Sequence, residues 1–243
     1  MIKLKTISLL RCRTELASLP EGKLLINTIN AHSYNNAQKD PLFAEALLNG
    51  GALIPDGESI VLAFRWLRKE TIERIPGWDL FEFEMERLNR KGGTCFFLGA
   101  SEKTLDLIKE KARDVYPNIR VKTYSPPYKP EFSDEESRQM VDAVNRVSPD
   151  LLWVGMTAPK QEKWTYTHYD ELDVKGHIGT IGAVFDFFAG TVELAETWYG
   201  MGLPSIERAS PHVATLFTGE YIIFQIFMER EIRKIKTSKI VKY

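Results

Sequence analysis

The sequence predicts an α/β fold, a mainly parallel sheet with helices on both faces, followed by a C-terminal helical appendage. Three observations lead there. Short apolar runs alternate with stretches of helical spacing over residues 23–184. Turn and cap residues separate them, and strand-helix alternation of this kind builds parallel sheets covered on both sides. After about Gly200 the alternation gives way to one long apolar stretch and a basic tail.

Taken in order, residues 23–28 (KLLINT) read as a short apolar strand. Residues 30–48 carry helical spacing through Ala37, Phe43, Ala46 and Leu47 and predict one helix. Ala52-Leu53-Ile54 is a strand that stops at the turn residues Pro55-Asp56-Gly57. Residues 59–69 place Ile60, Ala63, Phe64 and Leu67 on one helical face, and residues 80–89 read as a further helix. Residues 94–98 form a buried strand, with Ser101 as N-cap of a helix reaching Val115. Residues 119–124 are a strand leading into Ser125-Pro126-Pro127-Tyr128-Lys129-Pro130, which is too rich in proline to be helical. A helix over 134–147, a strand over 151–154, a helix over 159–169 and a last strand over 178–184 complete the core. These readings divide the chain into a core of residues 1–200 and an appendage of residues 201–243.

Composition narrows the function classes. At 243 residues the chain can bury a full core, and 44% hydrophobic with 27% charged residues is ordinary globular usage. A formal net charge of -1 gives no global field for nucleic acid, so no nucleic-acid partner is expected. Cys12 and Cys95 share no metal-ligand spacing; Cys95, inside Thr94-Cys95-Phe96-Phe97-Leu98, reads as a buried, inert thiol suited to a reducing, cytoplasmic compartment. The N-terminus lacks the apolar region and cleavage site of a signal peptide, and no run of 18 apolar residues could span a bilayer. Residues 212–228 are dominated by Val213, Leu216, Phe217, Tyr221, Ile222, Ile223, Phe224, Ile226 and Phe227. Beyond them Arg230, Arg233, Lys234, Lys236, Lys239 and Lys242 face only Glu229 and Glu231. Such a segment suits a surface of anionic lipid, and equally a helix packed on the domain or on a second copy with a solvated tail.

In open parallel sheets, ligands sit beyond the carboxyl ends of the strands. Four polar clusters fall at such ends: Thr28-Ile29-Asn30, Pro55-Asp56-Gly57, Gly99-Ala100-Ser101, and residues 155–162 with Lys160, Gln161 and Glu162. Asp56 reads either as a general base on a hydroxyl or as a turn aspartate bonding its own backbone. The proline at 159 suits a first helical turn, and Lys160 with the backbone donors behind it could receive an anion; the alternative is a plain surface helix start. Arg74 could pair with a diphosphate or stay solvated. Asp186 could bond a ligand hydroxyl or cap a helix, and His32 is read as structural. The chain has neither a Gly-x-Gly-x-x-Gly nor a phosphate-loop motif, and no Asp-x-Asp pair to hold a divalent ion. Leaving-group charge would then fall to protein cations and helix N-termini.

Together these residues resemble the WecG/TagA/CpsF family of bacterial glycosyltransferases. The likeness runs in order over residues 26–208. It takes in Thr28-x-Asn30, Gln38-Lys39-Asp40-Pro41, Pro55-Asp56-Gly57, Arg74-x-Pro76-Gly77-x-Asp79-Leu80-Phe81, Leu98-Gly99 and Ser125-Pro126-Pro127. Ala158-Pro159-Lys160-Gln161-Glu162, Gly182-Ala183-Val184-Phe185-Asp186-Phe187-x-Ala189-Gly190 and Gly202-Leu203 complete it. The resemblance implies a Rossmann-like core, a UDP-sugar donor, an undecaprenyl-diphosphate-linked sugar acceptor and transfer of N-acetylmannosamine or a related sugar; with no Asp-x-Asp pair, no metal or cofactor is expected. It implies Asp56 as catalytic base, Thr28, Asn30 and Gln161 lining the sugar and acceptor pocket, and Arg74 near the diphosphate. Gly99, Lys160, Glu162 and Asp186 join that substrate-binding set. It also implies an appendage that binds the inner face of the cytoplasmic membrane, with oligomeric state linked to that event. Of the arginines usual in such an appendage only Arg208 clearly matches, and Thr157 stands where a glycine is usual. The other readings left by the residues are a non-catalytic scaffold of a polysaccharide assembly complex and a different nucleotide-dependent enzyme on a similar sheet.

Overall fold

A computed structural model describes residues 2–191 of the chain. The appendage, including Arg208, the apolar stretch and the basic tail, lies outside the described residues.

An N-terminal segment that buries Ile2, Leu4 and Ile7 and a 3-10 turn (Arg13–Ser18) precede the first strand, β1 (Leu24–Ile29). The helix expected over residues 30–48 is two helices, α1 (Ala31–Ala37) and α2 (Pro41–Asn49). The break has a local cause: Asp40 caps α2 by accepting from the Phe43 N–H at 3.0 Å, and Pro41 belongs in a first turn, not a helix interior. Strand β2 (Ala52–Pro55) is buried along its whole length and feeds α3 (Glu58–Arg68). The next helix, α4 (Gly77–Lys91), starts three residues before the expected Leu80, directly after Pro76.

Strand β3 (Gly93–Gly99), α5 (Glu102–Val115) and β4 (Ile119–Tyr124) follow as expected, with the Ser101 hydroxyl accepting from the Thr104 N–H. Helix α6 (Asp134–Asn145) opens with a capping box between Ser133 and Glu136. Then come β5 (Leu151–Gly155), α7 (Lys160–Thr167) and β6 (His177–Thr180). Pro159, expected inside the first helical turn, instead occupies the N-cap position after a cis Ala158–Pro159 bond. The expected last strand over 178–184 also needs correction. It ends at Thr180, the chain turns through Gly182 at a φ of 38°, and Val184 opens a short helix, α8 (Val184–Ala189). Val184, Phe185 and Phe188 are the buried side of that helix, and a short apolar run does not distinguish a buried helix face from a buried strand.

All six strands are parallel, in the order β2-β1-β6-β5-β3-β4. Alternate residues of each strand supply separate cores on the two faces, as the two-residue strand period requires. Ile26, Ile54, Cys95, Phe97 and Trp153 face α4, α5 and α8. Leu25, Phe96, Leu98, Leu152 and Val154 face α6 and α7, while Ile29 and Leu53 meet the N-terminal segment and α1 to α3. This is a Rossmann-like α/β arrangement. Cys95 is fully buried, and withdrawal from water pushes its thiol well above the usual range, as befits an inert core residue.

Phe81 of α4 is the pin of the first face. Its ring lies 4.8 Å from Phe188, 5.5 Å from Trp153 and 5.6 Å from Trp78 between centroids. It therefore ties the start of α4 to the sheet and to α8. Replacing Phe81 with Ala should lower unfolding stability by about 3–5 kcal/mol, read by chemical denaturation. A loss under about 1 kcal/mol would show that α4 is held elsewhere.

Candidate active site

The carboxyl ends of the strands share one edge of the sheet. At β1 and β2, the Asp56 N–H donates to the Ile29 carbonyl at 2.9 Å, and the Ile75 N–H to the Pro55 carbonyl at 2.8 Å. Residues 74–77 are thereby laid across the ends of both strands. Asn30 caps α1 in a reciprocal box with Ser33, so its Oδ1 accepts from the Ser33 N–H at 3.0 Å. A Cβ on Gly57 would come within 3.1 Å of the Asn30 Cβ, so a bare backbone lets the Asp56 loop close on Asn30. The Thr28 methyl is 3.8 Å from where a Gly77 Cβ would be.

Arg74 joins this group. Its Nε donates to the Asp56 carbonyl at 3.2 Å, and its terminal nitrogen is 4.0 Å from the Asp56 Oδ1. Asp56 keeps 27% of its side-chain surface in contact with solvent, yet its recess withdraws enough water to push its pKa up to about 7. The Arg74 charge and the Gly77 N–H pull the other way, and Asp79 adds to the rise. A carboxylate held near neutrality at an open strand end is a competent proton acceptor.

A second cluster joins β5 and β6. Gln161 is 4% exposed, and its Oε1 accepts from both the Met156 and Gly182 N–H groups at 3.1 Å. Its Nε2 donates to the Glu162 Oε1 at 2.8 Å. Gln161 thus clamps the loops after two adjacent strands. Glu162 is 2% exposed with its Oε2 unpartnered among the described residues, and burial pushes its pKa up to about 7, opposed by the Gln161 bond and the charge of His32. His32, read from sequence as structural, is therefore in electrostatic reach of this cluster.

The remaining expected residues sit further along the edge. Gly99 has a φ of 128°, and a Cβ there would lie 2.2 Å from the Gly155 carbonyl oxygen, so β3 must end in glycine where it passes β5. The Lys160 ammonium donates to the Lys129 carbonyl at 2.6 Å and lies 4.7 Å over the Phe132 ring, which aims it at the loop after β4 and away from Asp56. Burial lowers its pKa. Asp186 is in the first turn of α8, where its carbonyl and Oδ1 accept from the Thr191 hydroxyl at 3.1 and 3.3 Å. The structure thus gathers Thr28, Asn30, Asp56 and Arg74 at one end and Gln161 and Glu162 next to them, with Asp186 on α8, whose Val184 lies beside Gly77, and with Gly99 and Lys160 toward β3 and β4.

Sequence reading missed a cavity of about 510 Å³ beside Arg74, lined by Arg13, Glu58, Arg74, Pro76, Trp78, Asp79 and Glu82. Arg13 reaches it because its N–H donates to the Glu73 carboxylate at 3.0 Å and the Glu73 N–H donates to the Arg11 carbonyl at 2.7 Å. No spacing rule connects positions 60 residues apart. Among the described residues, no three His, Cys, Asp or Glu side chains converge as a metal donor set.

The family described as "Glycosyl transferase WecG/TagA/CpsF family" matches residues 3–203. A protein of Bacillus subtilis (strain 168) is 28% identical over 72% of this chain and 66% of its own length. Relatives from Staphylococcus aureus strains MRSA252 and NCTC 8325 / PS 47 are 24% identical over 95% of this chain and 83% of their own. All three bear the name N-acetylglucosaminyldiphosphoundecaprenol N-acetyl-beta-D-mannosaminyltransferase.

The raised pKa of Asp56 has a stability consequence. Its folded-state value of about 7 exceeds the ordinary 3.8, so the folded state holds that proton more tightly than the unfolded chain does. The associated stability is complete below about pH 4 and is lost as pH rises through about 7. Asp56→Asn should therefore melt higher than wild type above pH 7, with the difference shrinking as pH falls toward 4. A pH-independent difference in melting temperature would refute the shift.

Proposed function

Because the chain belongs to the WecG/TagA/CpsF family of glycosyltransferases, we propose that it transfers an N-acetylmannosamine-type sugar from UDP to an undecaprenyl-diphosphate-linked sugar. The names of the relatives support the acceptor class. The observation that carries the mechanism is Asp56, a carboxyl poised at about 7 on the open edge of the sheet beside Arg74.

The reaction is an inverting, in-line displacement. The acceptor hydroxyl oxygen attacks the anomeric carbon, the bond from that carbon to the UDP oxygen breaks, and UDP leaves with the electron pair. The hydroxyl proton passes to the Asp56 carboxylate. Arg74 keeps part of Asp56 ionised near neutral pH and lends its outer nitrogens to a diphosphate. Thr28, Asn30 and Asp186 meet sugar hydroxyls, and Gln161 and Glu162 hold the β5 and β6 loops against the donor. Gly99 and Lys160 bound the far end of the nucleotide site, and Arg208 supplies a cation from the appendage. No cofactor or metal takes part in this reading, which rests on the missing Asp-x-Asp pair and the available protein cations.

General-base catalysis contributes about 10²–10⁴-fold, so Asp56→Asn should lower acceptor-dependent UDP release by that factor while UDP binding stays near wild type. In wild type, kcat/KM should climb with pH through about 7 as Asp56 loses its proton. Equal turnover in the variant would remove Asp56 from the chemistry, and a protein that binds no UDP would favour the scaffold reading.

The chain would work at the inner face of the cytoplasmic membrane, docked through residues 206–243, with a second copy of the chain as a further partner. The support is the apolar stretch followed by six basic residues at its end, Arg230 to Lys242. Full-length protein should sediment with vesicles rich in anionic lipid and be released by salt. Equal sedimentation with neutral vesicles would overturn the electrostatic part of the docking.

A further inference from the structure

The cavity beside Arg74 is lined by more acid than base, so beyond the outer nitrogens of Arg74 it offers little to an anion. Two guanidinium groups, Arg13 and Arg74, face three carboxylates, Glu58, Asp79 and Glu82. Arg13 lies 3.6 Å from the Asp79 Oδ2 and 3.6 Å from the Glu82 Oε2, close enough for attraction and too far for a formed hydrogen bond. Withdrawal from water raises the pKa of Asp79, opposed chiefly by Arg13. Arg74 is already shared with the Asp56 carboxyl. A second anion entering here would meet net negative charge.

A neutral, hydroxyl-rich ring meets the opposite situation. Carboxylates accept from hydroxyl groups, guanidinium groups donate to ring and hydroxyl oxygens, and an indole face covers the apolar C–H face of a pyranose. Trp78 supplies that face, half-buried on the wall and fixed by its contact with Phe81 at 5.6 Å between centroids. The volume of about 510 Å³ lies in the range of small-molecule sites, and its wall residue Arg74 stands 4.0 Å from the Asp56 carboxyl.

We propose that this cavity is a pyranose subsite, with Trp78 as its stacking platform and Arg13, Glu58 and Glu82 as its hydroxyl-reading groups. It receives the sugar of the acceptor and places one hydroxyl toward Asp56. The assignment to the acceptor rests on the proposed transfer reaction; binding of a neutral sugar does not. Arg13 and Glu82 become specificity-determining residues, because changing an equatorial hydroxyl to axial would leave one of them unpaired.

The test is ligand-observed saturation-transfer NMR on the full-length protein with the methyl β-glycoside of N-acetylglucosamine, with UDP titrated in parallel. Wild type should show transfer to the ring protons, and Trp78→Ala should weaken glycoside binding at least tenfold with UDP binding unchanged. Because Trp78 also packs on Phe81, Arg13→Ala and Glu82→Gln provide variants at more exposed positions, each expected to weaken glycoside binding several-fold. No transfer in wild type, or undiminished transfer in all three variants, overturns the subsite. Displacement of the glycoside by inorganic pyrophosphate at equal concentration would also overturn it, since that outcome makes the cavity an anion site. Loss of UDP binding in wild type alone would sink the transfer reaction and leave the sugar site standing.

Discussion

Every strand of this sheet runs in the same direction, and the rest of the molecule follows from that constraint. Parallel neighbours cannot be joined by tight hairpins, so each connection must cross a face of the sheet, and most do so as helices. Both faces are covered as a result, every strand but the edge strand β4 is largely buried on both sides, and the strand ends that carry polar residues gather on one edge. Asp56, Asn30, Gln161 and Gly182 are far apart in sequence and adjacent along that edge because β1, β2, β5 and β6 all end there. The same packing that buries the core withdraws water from the strand ends. Two carboxyls at this edge, Asp56 and Glu162, are consequently pushed to about 7.

Those two carboxyls are not equivalent, and the difference supports the separate roles proposed for them. Asp56 keeps a solvent-facing surface, a cation 4.0 Å away and an open approach beside a cavity, which is what a proton acceptor requires. Glu162 is sealed at 2% exposure and bonded to a glutamine that bridges two loops. A group so enclosed orients its neighbours. Removing its bond to Gln161 would leave a buried amide donor unsatisfied and loosen the turns after β5 and β6 together.

Much of the fold was legible because its signals are local. The strand at 119–124 and the Ser101 cap follow from apolar pattern and N-cap chemistry, and both are found at the expected residues. Asp40-Pro41 also carries a local signal, the N-cap and first-turn pair that splits the expected long helix, although the apolar helical spacing runs on across it. Residues 181–184 could not be resolved by pattern, since Val184 and Phe185 are buried in a helix much as they would be in a strand. The site divides the same way. Asp56, Asn30 and Gln161 were legible as strand-end residues, whereas Arg13 depends on backbone pairing with residues 60 positions away. Glu162 looks like a solvated first-turn acid in the sequence; only the packing of α7 against the sheet reveals that it is sealed.

The placement of charge around Arg74 also explains why one arginine can serve two neighbours. Alone, a guanidinium 4.0 Å from Asp56 would hold the carboxyl ionised and far below neutrality. Asp79 opposes that pull from the other side, and Glu58 and Glu82 line the same cavity as Arg74. Withdrawal from water is the largest influence on Asp56 and outweighs Arg74, with Asp79 adding to the rise, so the carboxyl stays near 7. Asp79 therefore acts on the Asp56 carboxyl without touching it. Filling the cavity with a neutral ring would displace water from between these charges and strengthen each interaction, so occupation of the subsite and the proton affinity of Asp56 are coupled through Arg74.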